Sequence, residues 1–176
     1  MAEGPKHLVR TRELDPADAV RVRHPFNPDS EVHLHRLAER TGMGRVIVTL
    51  ARVPPGKESF VLHAHLLHEE FLYILEGKGT AVIGDAETEV GPGDFMGFPI
   101  DGTPHTLRNT GATDLVYLMG GERGPLDVAR FPTVGKTMVF SMAQGIQAFD
   151  DAGTRQLTPS PTSSRTPEPT PAAGLS

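Results

Sequence analysis

The 176-residue chain is long enough for one domain with flanking segments. Its 19 Gly and 16 Pro, with only 6% aromatic residues, point away from a helical bundle and toward short strands punctuated by turns. The 17 Lys+Arg against 22 Asp+Glu leave a net charge of −5 with no basic block, which argues against a nucleic-acid-binding face, and the absence of cysteine removes disulfides, thiolate metal sites and cysteine nucleophiles together. Any metal must therefore be held by histidines and carboxylates. No apolar run approaches the ~20 residues that a membrane-spanning helix needs. The N-terminal MAEGPKHLVR lacks the apolar stretch of a secretory signal. These features predict a soluble, cytoplasmic protein with no membrane or nucleic-acid partner.

Taken in chain order, residues 1–28 are polar and broken by Pro5, Pro16, Pro25 and Pro28, and read as an arm crossing the surface of a domain. Residues 29–150 read as the domain itself. Residues 30–42 (SEVHLHRLAERTG) fit a helix capped by Ser30 and stopped by Gly42, yet Val32 and Leu34 alternate with His33 and His35. The alternation favours a hairpin strand turning at 39–44. Residues 45–53 (RVIVTLARV) are rich in β-branched side chains and end at Pro54-Pro55-Gly56. Further strands are predicted at 60–65, 71–75, 80–83, 95–98, 105–109 and 115–119, separated by turns such as Gly77-Lys78-Gly79 and Gly91-Pro92-Gly93-Asp94. Strands of this length and spacing make an all-β sandwich or barrel. Residues 151–176 interleave five prolines with Thr and Ser, and such a composition predicts a disordered tail.

Four of the eight histidines, His63, His65, His68 and His105, fall in the most strand-like stretch. In a strand, residues i and i+2 share a face about 6.5–7 Å apart, so His63 and His65 can converge on one ion. An isolated His-x-His is more often a solvent-facing strand edge. Here it sits in Gly56-KESFVL-His63-Ala-His65-LLHE-Glu70-FLYILE-Gly77, followed by Gly93-DFMGF-Pro99-ID-Gly102-TP-His105-TLR-Asn109.

These two stretches resemble the signature motifs of the cupin superfamily, G-x5-H-x-H-x3,4-E-x6-G and G-x5-P-x-G-x2-H-x3-N, in the right order. Six residues instead of five separate Gly56 from His63, and two instead of one separate Pro99 from Gly102. Both extra residues lie in turns, where insertions are tolerated. The resemblance covers roughly residues 44–120. The short spacer 78–92 matches a minimal barrel without an inserted lid, and MGRVIVTLARVPPG and DVARFPTVGK are similar to small single-domain bacterial cupins (cupin type 2, conserved barrel).

The resemblance implies a double-stranded β-helix, that is, a jelly-roll barrel with one divalent metal ion (Fe, Mn, Ni, Co or Zn) held by His63, His65, Glu70 and His105. Three neutral imidazoles and one carboxylate give a net +1 centre with a divalent ion, and an octahedral ion keeps two open positions. The choice of glutamate sets two arguments against each other. An unbroken strand from His65 places Glu69 on the histidine face, whereas the motif spacing before Gly77 selects Glu70. Glu70 is the reading adopted, which requires a bend within 66–69 and turns Leu72 and Ile74 inward.

Other residues carry less. His68 reads as an exposed loop residue or an outer-sphere proton donor, His33 and His35 as surface, and Asn109 as a strand-end turn residue. Arg45, Arg52, Arg108 and Tyr117 are candidates for a substrate carboxylate or phenol, and equally ordinary strand-surface residues. The functional expectation is a metal-dependent enzyme on a small organic, aromatic or oxo-acid substrate, by dioxygenation or by Lewis-acid isomerisation or lyase chemistry. The alternative is a small-molecule binding or sensing module, although residues 1–28 are too few for a helix-turn-helix domain. Phe71, Tyr73 and Leu75 lie opposite Glu70 on the outer face, and predict a homodimer unless 32–37 or 138–140 cover them.

Overall fold

The computed structural model describes residues 6–155. Most of the segment 151–176, expected to be a disordered tail, therefore lies outside the described residues. In chain order the strands are β1 Val20–Val22, β2 Val32–Arg36, β3 Val46–Val53, β4 Ala64–His65, β5 Glu70–Glu76, β6 Gly79–Ile83 and β7 Ala86–Val90. They continue as β8 Phe95–Phe98, β9 His105–Arg108, β10 Leu115–Glu122, β11 Leu126–Phe131, β12 Lys136–Ser141 and β13 Gly145–Asp150. A five-residue helix, α1 Leu37–Thr41, follows β2, and no helix of the described residues is long and apolar enough to cross a membrane.

The strands form an all-β jelly roll. One sheet runs β1-β2-β3-β10-β5-β8, a second β13-β12-β11-β4 and a third β7-β6-β9, all with antiparallel pairing. The second and third sheets meet at an antiparallel bridge between His63 and His105. The main core lies between the layers and draws on β2, β3 and β5 to β10, with Ile74, Leu107 and Leu115 fully enclosed. Truncating one of these to Ala costs about 2–5 kcal/mol, because the rigid layers collapse only partly into the void. A smaller cluster of Val61, Ala129, Phe131 and Met138 joins the second sheet to Phe26 of the N-terminal segment.

The alternation of Val32 and Leu34 with His33 and His35 does produce a strand, as its burial pattern shows. Where a plain turn was expected, one helical turn intervenes, and Gly42 ends it at φ 79°, the left-handed conformation that glycine adopts without steric cost. The N-terminal segment adds β1 to the sheet edge through pairing of Val20–Val22 with β2. Glu31 pins it there. Arg23 donates to Glu31 Oε2 from Nε (3.2 Å) and Nη2 (2.9 Å), while Arg21 Nε and His33 Nε2 lie 3.2 and 2.9 Å from Oε1.

Candidate metal centre

The residues expected to hold a metal arrive from both layers. His63 comes from the residue just before β4 and His65 from its last residue, His105 from the first residue of β9, and Glu70 from the first residue of β5. The His63 N–H donates to the His105 carbonyl at 3.2 Å and the His105 N–H to the His63 carbonyl at 2.8 Å, so the backbone fixes two imidazoles side by side. One ligand atom each from His63, Glu70 and His105 lies within 4.8 Å of the others. His65 adjoins this trio, with Nε2 3.4 Å from Glu70 Oε2. His105 Nε2 is 3.0 Å from the same oxygen.

Glu70, not Glu69, faces the histidines. After His65 the chain leaves the second sheet and crosses to the first, where β5 begins at Glu70. No single strand links the two positions, so the period of two does not carry across. Glu69 is exposed, and its backbone N–H donates to the Glu122 carboxylate at 3.0 Å.

Imidazole orientation is set from behind. His63 Nδ1 donates to the Val61 carbonyl at 2.8 Å, which leaves Nε2 without that proton and available to a ligand. His65 Nδ1 donates to Asp127 Oδ2 at 2.5 Å, with the same result. Phe131 stacks on His63 at 5.6 Å and 21°, and Phe98 stacks on His105 at 3.5 Å and 6°. Burial, reinforced by neighbouring His105, lowers the His63 pKa to about 4 and keeps that imidazole neutral at physiological pH. Burial also opposes charge on His65, but the Asp127 and Glu70 carboxylates outweigh it and push its pKa up to about 9. Burial likewise works against the Glu70 carboxylate, yet hydrogen bonds from His105 and His65 hold it well below the usual range. The donor set fits a divalent ion: His63 offers a neutral imidazole nitrogen and Glu70 an ionised carboxylate oxygen, and the proton that the Asp127 and Glu70 charges hold on His65 is one a divalent cation would displace.

A cavity of about 300 Å³ opens above His63, His65 and Glu70. Its walls are Phe60, Met119, Phe131, Met138 and Phe140, with Val22, Arg23, His24 and Pro25 of the N-terminal segment at the side.

The remaining candidates divide clearly. His68 is not an exposed loop residue: its Nε2 accepts from the Gly124 N–H at 3.1 Å and its Nδ1 is 3.7 Å from Asp127 Oδ2. A Cβ on Gly124 would sit 2.5 Å from that Nε2, so a side chain there must displace the His68 ring. His35 is not a surface residue either: it is buried, and Thr11, Leu14 and Pro16 of the arm share a small pocket with it and His33. Asn109 does act as a strand-end residue, donating to the Val53 and Thr113 carbonyls at 2.7 and 2.8 Å and accepting from Gly111. Arg52 pairs with Asp114 at 2.9 Å, Arg108 with Glu87, and Arg45 is exposed; none of the three lines the cavity. Tyr117, read as a surface candidate, is instead fully buried in the barrel, where burial and the Glu70 charge raise its pKa.

Sequence reading missed Asp127 and His24. Asp127 shares the inward face of β11 with Ala129 and Phe131, so a carboxylate at an apolar-face position was the available signal. His24 carried none, because it lies in a Pro-broken stretch.

The model of the cupin domain matches residues 49–121. An oxalate-binding protein of Thermotoga maritima is 32% identical over 120 residues, covering 67% of this chain and 95% of that protein. Quercetin 2,3-dioxygenase of Bacillus subtilis is 36% identical over 77 residues, 43% of this chain and 22% of the enzyme. The solved structure of a proposed sugar phosphate isomerase from Acidithiobacillus ferrooxidans superposes with a TM-score of 0.81 at 30% identity, covering 88% of this chain and 98% of that one. Barrel, paired motifs and histidine–glutamate cluster define a metal-site jelly roll. The chain belongs to the cupin superfamily.

Proposed function

We propose that this chain is a metal-dependent enzyme in which His63, His65, Glu70 and His105 hold one divalent ion at the floor of the cavity. The observation that carries this reading is the clustering of His63, Glu70 and His105 ligand atoms within 4.8 Å beneath that cavity. When bound, such an ion supplies Lewis acidity toward a substrate oxygen and, if redox-active, dioxygen activation. The chain's own residues do the rest. Val61 and Asp127 aim the imidazoles, and Phe131, Met138 and Phe140 shield the site from water. Walls of this kind leave a sugar's hydroxyls unpaired, whereas they suit an apolar or aromatic body.

The test begins with elemental analysis of untagged protein from metal-supplemented medium, followed by oxygen uptake with phenols, diketones and hydroxy acids. About one metal per chain, lost in His63→Ala and His105→Ala, is expected. Metal-free protein that takes up none on titration overturns the reading.

A second reading, a non-catalytic binding module, draws support from the 32% identity to the oxalate-binding protein. Metal-loaded protein that binds small oxo-acids in calorimetry but transforms no substrate of the panel would establish it.

The assembly we propose is a homodimer. Tyr73 and Leu75 are exposed, and Phe71 stacks on Phe95 at 5.9 Å beside a surface groove of about 620 Å³. The segments of this chain that were candidates to cover them are engaged elsewhere, Val32 and Leu34 in the main core and Met138 in the smaller cluster. A second copy is then the cover.

A further inference from the structure

The cavity above the metal centre is apolar almost throughout. Apart from His63, His65 and Glu70, its lining among the described residues includes two residues with polar side chains, His24 and Arg23, and the largely exposed Arg23 guanidinium is engaged by Glu31. Both come from the N-terminal segment, outside the residues that match the family model. We propose that this segment completes the substrate cavity and that His24 receives the end of the substrate farthest from the metal. The inference rests on the metal-dependent reading above and deepens it by naming a substrate class: a flat, apolar, ring-sized body with metal-binding oxygens at one end and a hydrogen-bond acceptor at the other.

Three observations carry it. The first is distance. His24 lies against Phe131 with ring centroids 5.1 Å apart, and Phe131 stacks on His63 at 5.6 Å. One aromatic side chain therefore separates His24 from a ligand histidine, and a flat body lying along Phe131 reaches both. The second is donor chemistry. His24 Nδ1 accepts from the Phe26 N–H at 3.4 Å, so the ring proton resides on Nε2, which has no hydrogen bond from the described residues. Burial lowers the His24 pKa and keeps the imidazole neutral. The ring offers an N–H to an acceptor without bringing a charge into an apolar cavity.

The third is preorganisation. His24 stands between two anchors. On one side Arg23 clamps Glu31 through Nε and Nη2. On the other, Phe26 packs into the smaller core cluster and Asn27 Nδ2 donates to Glu58 Oε2 at 2.5 Å. A segment held on both sides presents its donor at a fixed point, so little ordering entropy is lost on binding.

Zinc-loaded protein titrated calorimetrically with catechol and with 4-nitrocatechol tests this. Both probes offer vicinal oxygens to the metal, and only the second carries an acceptor across the ring. His24→Ala is expected to weaken 4-nitrocatechol by about five- to tenfold while leaving catechol within about twofold, the interaction energy isolating the distal contact. His24→Gln, which keeps an N–H donor, retains most of the affinity, and zinc stoichiometry is unchanged in both variants. Equal loss for the two probes, loss for neither, or failure of zinc-loaded wild type to bind either probe overturns the inference. Failure of wild type to take up zinc overturns the metal-dependent reading instead, and the zinc titration done first separates the two.

Discussion

Asp127 Oδ2 lies 2.5 Å from Nδ1 of His65, and this contact decides which imidazole nitrogen faces the metal centre. Asp127 reaches His65 because β11 pairs with β4, setting Ala129 opposite His65 and Arg130 opposite Ala64. The carboxylate is buried, and its own pKa is lowered because the His65 bond outweighs the burial that would raise it. A buried carboxylate behind a ligand imidazole fixes its tautomer and raises its basicity.

Replacing that carboxylate is therefore expected to act on metal affinity. Asp127→Asn weakens zinc binding by about 10-fold and Asp127→Ala by up to about 100-fold, measured by competition with a chromophoric chelator. Far-ultraviolet circular dichroism of the variants stays that of the wild type. Equal zinc affinity in wild type and Asp127→Ala would show that His65 does not depend on this bond.

The two adjacent glutamates separate in the same assay. Glu70→Gln removes the carboxylate that sits 3.0 Å from His105 and 3.4 Å from His65, and zinc binding drops by at least about tenfold. Glu69→Gln, altered at an exposed position, leaves affinity unchanged. The opposite pattern would restore the unbroken-strand reading of 65–69.

Much of this site is legible in the chain itself, and what is not has physical reasons. His63, His65, Glu70 and His105 stand in ordered motifs, and β3, β5, β6, β8, β9 and β10 carry clear β-branched or alternating patterns. The strand β7 shows no such pattern because four of its five residues face solvent, leaving Val90 as its one core contact. The hairpin partner β13 is exposed along its whole length, so burial imposes no period on it. The predicted strand 60–65 shortens to Ala64–His65, since the chain there changes sheets and makes only a single bridge at His63. His35 was misread because the cover over it comes from residues 11–16, a contact between segments that no local pattern encodes.

Glu31 gives the fold a defined acid sensitivity. Hydrogen bonds first from His33 and then from Arg23 lower its pKa from 4.5 to about 2 in the folded chain. The unfolded chain then binds the proton more readily, so the stabilisation is full above about pH 4.5 and is lost as pH falls toward about 2. Glu31→Gln is expected to cost about 1 kcal/mol at neutral pH, a Tm loss of about 2–4 °C, discounted for the solvent around its arginine partners. By scanning calorimetry the deficit is the same at about pH 7 and pH 5 and shrinks at about pH 3. A deficit independent of pH would show that the clamp acts through packing and not through its charge.

The outer face of the first sheet makes the last prediction. Phe71 stands opposite Gly120 in the β5–β10 ladder, and its ring occupies the space a Cβ there would need. From that position it stacks on Phe95, which is 65% exposed, with Tyr73 and Leu75 further along the same face. A contiguous run of large apolar side chains on one sheet face marks a surface that a partner covers. The assembly proposed above supplies the cover by a two-fold pairing of identical faces, in which each substitution is felt twice. Light scattering of the wild type should therefore give about twice the 19.0 kDa of the chain. Phe95→Glu should yield the single-chain mass with its barrel intact, because that side chain projects outward and is absent from the core. Tyr73→Lys should act in the same direction more weakly, its ring being the less exposed of the two. A wild-type mass near 19.0 kDa at every concentration overturns the pairing. A dimer unaffected by Phe95→Glu moves the interface to another face.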